Sequence, residues 1–541
     1  MKKITILFVC LVSFISCETV DVTNSQYNYV LNTELEDLLK EIQLDFPILI
    51  EKTERVGGML TRLEYLFGEQ YIIWNEPVNS ETWDVAYSNL LPKMIEAQQI
   101  AEIEDAYNHL GVIKTLKAFT LITLVDKYGD IPYSEIALPN PNLDTGESVY
   151  NIALEILDSA LIDFGVEGAN METDYYYNND YTKWVKLVNT LKMKIYNSTR
   201  LVDPSAINNF ENIVSSGNYI STIEDDFELK YANSEMNHPA YIKDYTASGA
   251  GRYRSNWLMD KMVNLDDPRR RYYFYRQIEC VPGNFDEDGN YCEPEVFDEA
   301  VVLCLNENQP AHYPSDMVFC SVSHGYWGRD HGYSEGIPPD AFKRSVAGLY
   351  PAAGKFDGNE FASVSPGIGG QGLGVLPILL SSWVDFMQAE VSLATNDEGS
   401  ANTFMQSGIQ KSVDKVQGFI ALDSDANLSY VPTSNDVSNY INSIAANFTT
   451  GDISEKWNVL GEQQFIASYG NGNNSYNFYR RTGFPTSLQF HLNENSGAFI
   501  RSFLYPQEVV DANTNIDQKP NLEVKVFWDN NPAYPEFPFA N

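Results

Sequence analysis

The chain has 541 residues, with 74 acidic side chains against 36 basic ones and a formal net charge of −38. So acidic a surface argues against nucleic acid and extended polyanions as partners, and leaves room for a neutral ligand or one held in a pocket of different local charge. No segment beyond the N-terminus is apolar enough to span a bilayer, which takes about 20 apolar residues; the closest stretch, Gly374 to Phe386, is short and broken by Pro377.

The chain opens with Lys2-Lys3, an apolar run from Ile4 to Ile15, and Ser16-Cys17. A charged start, a short apolar stretch and a small residue before the cut describe a secretory signal over residues 1–16. The cysteine that follows points to a lipoprotein signal, with Cys17 as the acylated N-terminus, although Phe14 stands where leucine is usual. Residues 17–34 read as a polar tether and residues 35–541 as a single domain.

Residues 35–235 carry helical periodicity. Trp83, Tyr87, Leu90 and Leu91 share one side of a helix running to Ala101. His109 to Tyr128 is apolar on most sides, hence a buried helix, stopped by Gly129. Tyr150 to Phe164 repeats at helical spacing before Gly165, and a further helix capped by Thr182 turns Trp184, Leu187, Val188 and Leu191 inward. Helical pattern returns over 376–469, at Leu376–Leu393, Asn402–Gly418 and Ser454–Tyr469. Between these blocks, residues 236–375 lose periodicity and fill with Gly, Pro, Tyr, Ser and Asp; residues 470–541 are loop-rich again. Irregular stretches that long in a compact protein are usually functional. Helices joined by short turns suggest an all-α fold of stacked helical hairpins with the long loops as its functional face, although no repeat period of about 34 residues is legible.

Cys280, Cys292, Cys304 and Cys320 cluster in the irregular region. In an exported chain they predict two disulfides, with three pairings open; zinc is the weaker alternative because no close Cys-x-x-Cys pair exists. Asn284, Asp286, Asp288, Gly289 and Glu295 match the ligand spacing of a calcium loop, against which stands a plain hairpin turn at Asp288-Gly289. Calcium is the one metal this spacing allows, and no cofactor is required. Gly332-Tyr333-Ser334-Glu335-Gly336 matches a serine-hydrolase elbow as a string, but the prolines after Ile337 cannot start the helix that an elbow needs.

Sugars are bound by stacking on aromatic faces, with polar side chains around the ring. Aromatics outside helical stripes are therefore the candidates: Tyr71 and Trp74 beside Asn75, Trp257, and Tyr326 and Trp327 in a glycine-rich loop with Arg329 and His331.

A set of ordered segments adds a family. Lys117-Ala118-Phe119 precedes Asp126-Lys127-Tyr128-Gly129-Asp130-Ile131-Pro132-Tyr133, followed by Trp184 with Asn189-Thr190-Leu191-Lys192, then Asp267-Pro268-Arg269. Gln388-Ala389-Glu390 and Gly408-Ile409 come next, then Tyr479-Arg480-Arg481-Thr482-Gly483-Phe484-Pro485, and finally Arg501 with Tyr505-Pro506-Gln507-Glu508 and Asn513. In this order and spacing they resemble the SusD/RagB family of nutrient-binding lipoproteins; Trp327-Gly328-Arg329-Asp330-His331-Gly332 points to its SusD-like branch. The resemblance implies a tetratricopeptide-like helical core and an outer-membrane lipoprotein exposed at the cell surface. It also implies that the protein captures an oligosaccharide or glycan without catalysis and delivers it to a SusC-like TonB-dependent transporter. A peptide-binding receptor of the same family and a secreted hydrolase on a helical scaffold are the alternatives. Most of the matched residues, Tyr128, Pro132 and Trp184 among them, read as structural.

Overall fold

The computed structural model describes residues 33–68, 71, 78–231, 236–293, 304, 307–334, 339–533 and 536. The first helical block contains α1 (Thr33–Leu60), α2 (Val78–Asp84), α3 (Leu91–Ile103), α4 (Tyr107–Tyr128), α5 (Gly146–Phe164), α6 (Tyr181–Thr199) and α7 (Ala206–Ser216), with a π-helical turn over Val85–Leu90. Among the described residues, the helices of the middle region are the short α8 (Pro239–Asp244), α9 (Asn256–Asn264) and α10 (Arg270–Tyr273). The second block contains α11 (Ser381–Ala394), α12 (Glu398–Gln417), α13 (Ser434–Thr450), α14 (Ile453–Ala467), α15 (Gly472–Thr482) and α16 (Gln507–Ala512). Successive helices pack on one another as hairpins, α4 on α5 and α11 on α12 most extensively. The fold is the all-α helical-hairpin architecture that the periodicity implies.

Helix α4 is the spine. All but two of its 22 residues are buried, which is why its sequence is apolar on nearly every side. At its C-terminal end Asp126 is a hub. Its carboxylate accepts from the Tyr150 hydroxyl of α5, from Lys194 Nζ of α6 at 2.8 Å, from Asn477 Nδ2 of α15 at 2.7 Å and from Trp528 Nε1 at 3.3 Å. Its backbone carbonyl accepts from Arg480 at 2.7 Å. Trp184, fully buried, donates to Asp174 at 2.9 Å. The segments that carry the resemblance are thus joints between helices. The cap of α6 is Asp180 rather than Thr182, because the Asp180 carboxylate accepts the Thr182 backbone N–H.

Two expectations are corrected. The run Leu376–Leu393 is not one helix: Val375–Leu379 is strand β4, paired antiparallel with β1 (Phe227–Lys230), and α11 starts only at Ser381. Pro377, which has no N–H to give a helix, sits opposite Glu228 in this pair. A second small sheet pairs β2 (Phe274–Tyr275) with β3 (Val346–Ala347). Residues from Gly470 onward are not all loop: Asn471 caps α15, its side chain accepting from Asn473 N, and α15 packs on α1. Its Asn-Gly-Asn-Asn start has poor helix propensity, and the tertiary contact overrides it.

That contact is backbone to backbone. A Cβ at Gly57 of α1 would lie 2.5 Å from Gly472 O, and one at Gly472 would collide with Gly58 N and Glu54 O. Gly472→Ala is therefore expected to force α1 and α15 apart and cost about 1–3 kcal/mol or more. Urea unfolding measures this, with Gly418→Ala as the control because nothing lies near its Cβ. Equal midpoints for the two variants would refute the close-packing account.

Candidate functional site

The structure withdraws the sequence-predicted aromatic platform. Tyr71, Trp257, Tyr326, Trp327, Arg329 and His331 are all buried, none more than 3% exposed. Each is engaged inside the protein. Trp257 Nε1 donates to Ser487 O at 2.7 Å, and Trp327 Nε1 to Asp340 at 2.9 Å. Arg329 pairs with Asp340 at 2.7 Å and lies over the Tyr253 ring, while the Arg276 guanidinium covers Tyr326. Tyr71 hydroxyl and His331 Nε2 share a hydrogen bond of 2.9 Å. A ring with no open face cannot stack on a sugar, so these side chains are the core of the loop region. Trp74 and Asn75 fall outside the described residues.

The calcium spacing is corrected as well. Cys280 pairs with Cys292, closing a hairpin in which Phe285 and Tyr291 are bridged antiparallel and Gly289 turns the chain at φ +81°. Asp286 accepts from Asn290 N and Nδ2, Asn284 Nδ2 reaches Ser321, and Glu287 turns away to Arg271 and Arg276. Asp288 lies at the exposed turn, and Glu295 falls outside the described residues. The spacing of oxygens is that of a hairpin turn satisfied by its own hydrogen bonds. Among the described residues, no three His, Cys, Asp or Glu side chains are grouped to hold a metal. Cys304 pairs with Cys320. The stapled hairpin does present open aromatic rings, Phe285 at 47% and Tyr291 at 49% exposure, 5.5 Å apart. Sequence reasoning passed over them because they lay inside the apparent metal loop; their alternation about Asp288-Gly289 was the available signal.

Polar groups converge instead on a cavity of about 330 Å³ between the first helical block and the irregular region. That volume is at the lower end of the range of small-ligand sites, about 300–1,000 Å³. Helix α1 supplies Glu51, Lys52, Glu54, Arg55 and Met59, which fall on one side because helix neighbours recur at three and four residues. The facing wall is the segment from His238 to Arg254, and the floor is Pro351, Ala352, Leu376 and Tyr469. Gly470, at φ +96°, is required there: a Cβ would come within 3.0 Å of the Pro351 and Pro377 rings.

The electrostatics are uneven. Lys52 and Glu81 pair at 2.6 Å on the rim, where both stay hydrated. Arg254, almost wholly buried, is tied to Asp244 and lies 3.5 Å from Glu64. Glu51 accepts from the Tyr231 hydroxyl, and burial still lifts its pKa. Glu54, which accepts from Gly472 N at 3.5 Å, is held well above the usual carboxylate range, first by burial and then by Glu64 and Glu51. His238 is pushed down to about 3 by burial and by Arg252 and Arg254. It is therefore neutral, and because its Nδ1 accepts from Ala240 N, its proton sits on Nε2. The cavity thus offers donors and acceptors in fixed positions. Such clustering of shifted acids and bases marks a ligand site.

Comparison with known proteins places this architecture. A SusD-like family model described as starch-binding and associating with the outer membrane matches residues 22–297, and one described as SusD and RagB outer membrane lipoprotein matches residues 374–524. No curated protein sequence matches. Among solved structures, a chitin-binding protein is 18% identical, with a TM-score of 0.66 over 92% of this chain and 100% of its own. A chitin-binding SusD homolog from Flavobacterium johnsoniae is 16% identical, with a TM-score of 0.63 over 92% and 99% of the two chains. A SusD homolog from Bacteroides uniformis is 18% identical, with a TM-score of 0.62 over 92% and 100%. At these identities the likeness is one of fold. The first family model alone spans more than half of the sequence, and the second follows it in chain order beyond the irregular region, so the chain belongs to the SusD/RagB family of outer membrane lipoproteins.

Proposed function

We propose that this protein is a cell-surface glycan receptor. Anchored through Cys17, it captures an oligosaccharide without cleaving it and passes it to a SusC-like TonB-dependent transporter. The observation that carries this reading is the polar cavity of α1, the His238–Arg254 segment and Tyr469, set in a chain of this family. A sugar has both donors and acceptors, and the neutral His238, Glu51, Glu54 and the cavity arginines match both. The exposed rings of Phe285 and Tyr291 are a second, separate surface on which a sugar can stack. The chitin-binding relatives make chitin oligosaccharides a natural first probe.

The test is retardation of a soluble form, beginning after Cys17, in native gels containing a panel of polysaccharides. The expected result is retardation by at least one glycan with no products released. Glu54→Ala is expected to weaken binding about tenfold or more, the equivalent of about 1.4 kcal/mol. Release of products, abolished by replacing a single cavity glutamate, would instead establish a hydrolase. Retardation by none of the glycans would end the receptor reading.

A further inference from the structure

Three acids of the cavity have direct side-chain partners, whereas two of its bases have none among the described residues. Glu81 is held by Lys52, Glu64 lies against Arg254, and Glu51 accepts from Tyr231. Glu54 is the carboxyl on which a proton is favoured, since burial and its two glutamate neighbours both disfavour its charge. Arg55 and Arg252 also line the cavity, Arg252 half-buried and Arg55 at the exposed rim, yet neither has a hydrogen-bond or ion-pair partner among the described residues. Burial and then Arg252 lower the pKa of Arg55, while Glu64, Glu54 and Glu81 act on it in the opposite direction; Arg252 in turn opposes the rise at Glu51 and Glu54, so both guanidinium groups face cavity acids without bonding them. A guanidinium that bonds no acceptor within the protein keeps its five fork-arranged donors for a ligand that enters the cavity. The group that fits such a pair is a planar anion, a carboxylate taken bidentately.

Resting on the reading of this cavity as the glycan site, we propose that Arg55 and Arg252 clamp a carboxylate, so that the captured glycan carries an acidic sugar at the unit that enters. The charge of the whole chain does not oppose this. Remote acids are screened over about 8 Å at physiological salt, while a contact pair is not. The same net charge of −38 disfavours extended polyanions, which points to a glycan with an isolated or terminal uronate or sialate rather than a polyuronate.

The experiment measures affinity by calorimetry for sialyllactose and for glucuronate-substituted xylo-oligosaccharides, each beside its methyl ester, with chitin and starch oligosaccharides as neutral members. Esterification keeps the shape of the sugar and removes its charge. At least one acid is expected to bind ten times or more tighter than its ester. Arg252→Gln and Arg55→Gln are each expected to erase most of that difference, weakening the acid far more than its ester, whereas a merely structural role would weaken both alike. Equal binding of acid and ester, or binding confined to neutral glycans, overturns the carboxylate clamp and leaves the glycan receptor standing. Absence of binding to every glycan, acidic or neutral, overturns both the acidic-sugar proposal and the glycan-receptor reading.

Discussion

Replacing Glu390 by alanine is expected to remove about 3–5 kcal/mol of stability, the largest loss anticipated for a single polar side chain here. Glu390, 1% exposed on α11, accepts from Arg481 Nε and Nη2 of α15 at 2.9 and 2.8 Å, from Arg200 Nη1 at 2.8 Å and from Asn197 Nδ2 of α6 at 2.9 Å. Burial pushes its carboxyl up, but Arg481 and Arg200 outweigh that and hold it down at about 2. The alanine variant would leave two buried guanidinium groups without their counter-ion, at the junction of three helices from both ends of the chain. The depressed pKa gives an independent check. A shift from 4.5 to about 2 corresponds to about 3 kcal/mol at about 1.4 kcal/mol per unit, present above pH 4.5 and lost as pH falls toward 2. A domain's whole stability is typically about 5–15 kcal/mol. The expected result is thus a large fall in the urea midpoint at unchanged slope. Lys52→Ala, at a rim pair with both partners exposed, is the contrast and should cost under about 1 kcal/mol. A Glu390→Ala midpoint close to that of Lys52→Ala would show that the arginines find other acceptors.

Mild acid is the second strong lever. His331 and His491 sit together beneath the loops, their rings 5.4 Å apart and both packed on Tyr71. Burial, Arg62 and His491 drive the His331 pKa far below its ordinary value, and burial with Arg62 lowers His491 to about 4. His238 in the cavity is lowered to about 3. In the unfolded chain each takes up a proton near pH 6.5, whereas the folded protein refuses it until far lower pH. Below 6.5 the unfolded state therefore binds more protons, and stability falls with falling pH by about 1.4 kcal/mol per unit for each such histidine. Asp226 works the other way. Its pKa is raised to about 6 by burial, so the folded state takes its proton first and gains stability between pH 6 and 4. Glu54, Glu51, Asp260, Asp330 and Asp385, also raised by burial, act in the same direction as Asp226, so the histidine contribution is read as the difference between the parent protein and a histidine variant between pH 6.5 and 4.5. Urea titrations across that window check it, and His491→Gln should remove about 1.4 kcal/mol per unit of acid destabilisation. A slope that His491→Gln leaves unchanged would mean that His491 is already accessible to protons in the folded state.

Sequence and structure agree where the signal is local. Helix α4, helix α5 before Gly165 and the inward stripe of α6 follow from periodicity and end signals, because a helix closes its hydrogen bonds within a few residues. Strand β4 and helix α15 escaped for the opposite reason. The partner of β4 lies about 150 residues away in β1, and α15 is held by glycine-to-glycine contact with α1. The platform failed for a related cause: Tyr326 and Trp327 sit in irregular backbone that is nonetheless buried, the Trp327 N–H groups paired by Ser345 and Asp340, while Trp257 lies on the buried side of α9 and donates to Ser487.

By itself, then, the sequence determined the helical class, the two helical blocks, the cysteine-rich middle region and, through its ordered motifs, the family. Only the tertiary structure decided which cysteines pair, which aromatics keep an open face, and that Glu51, Glu54, Arg55, His238 and Arg252 share one cavity. Periodicity records what each residue does to its neighbours along the chain. Burial and shared cavities depend on what comes from elsewhere to cover them, and no local pattern carries that.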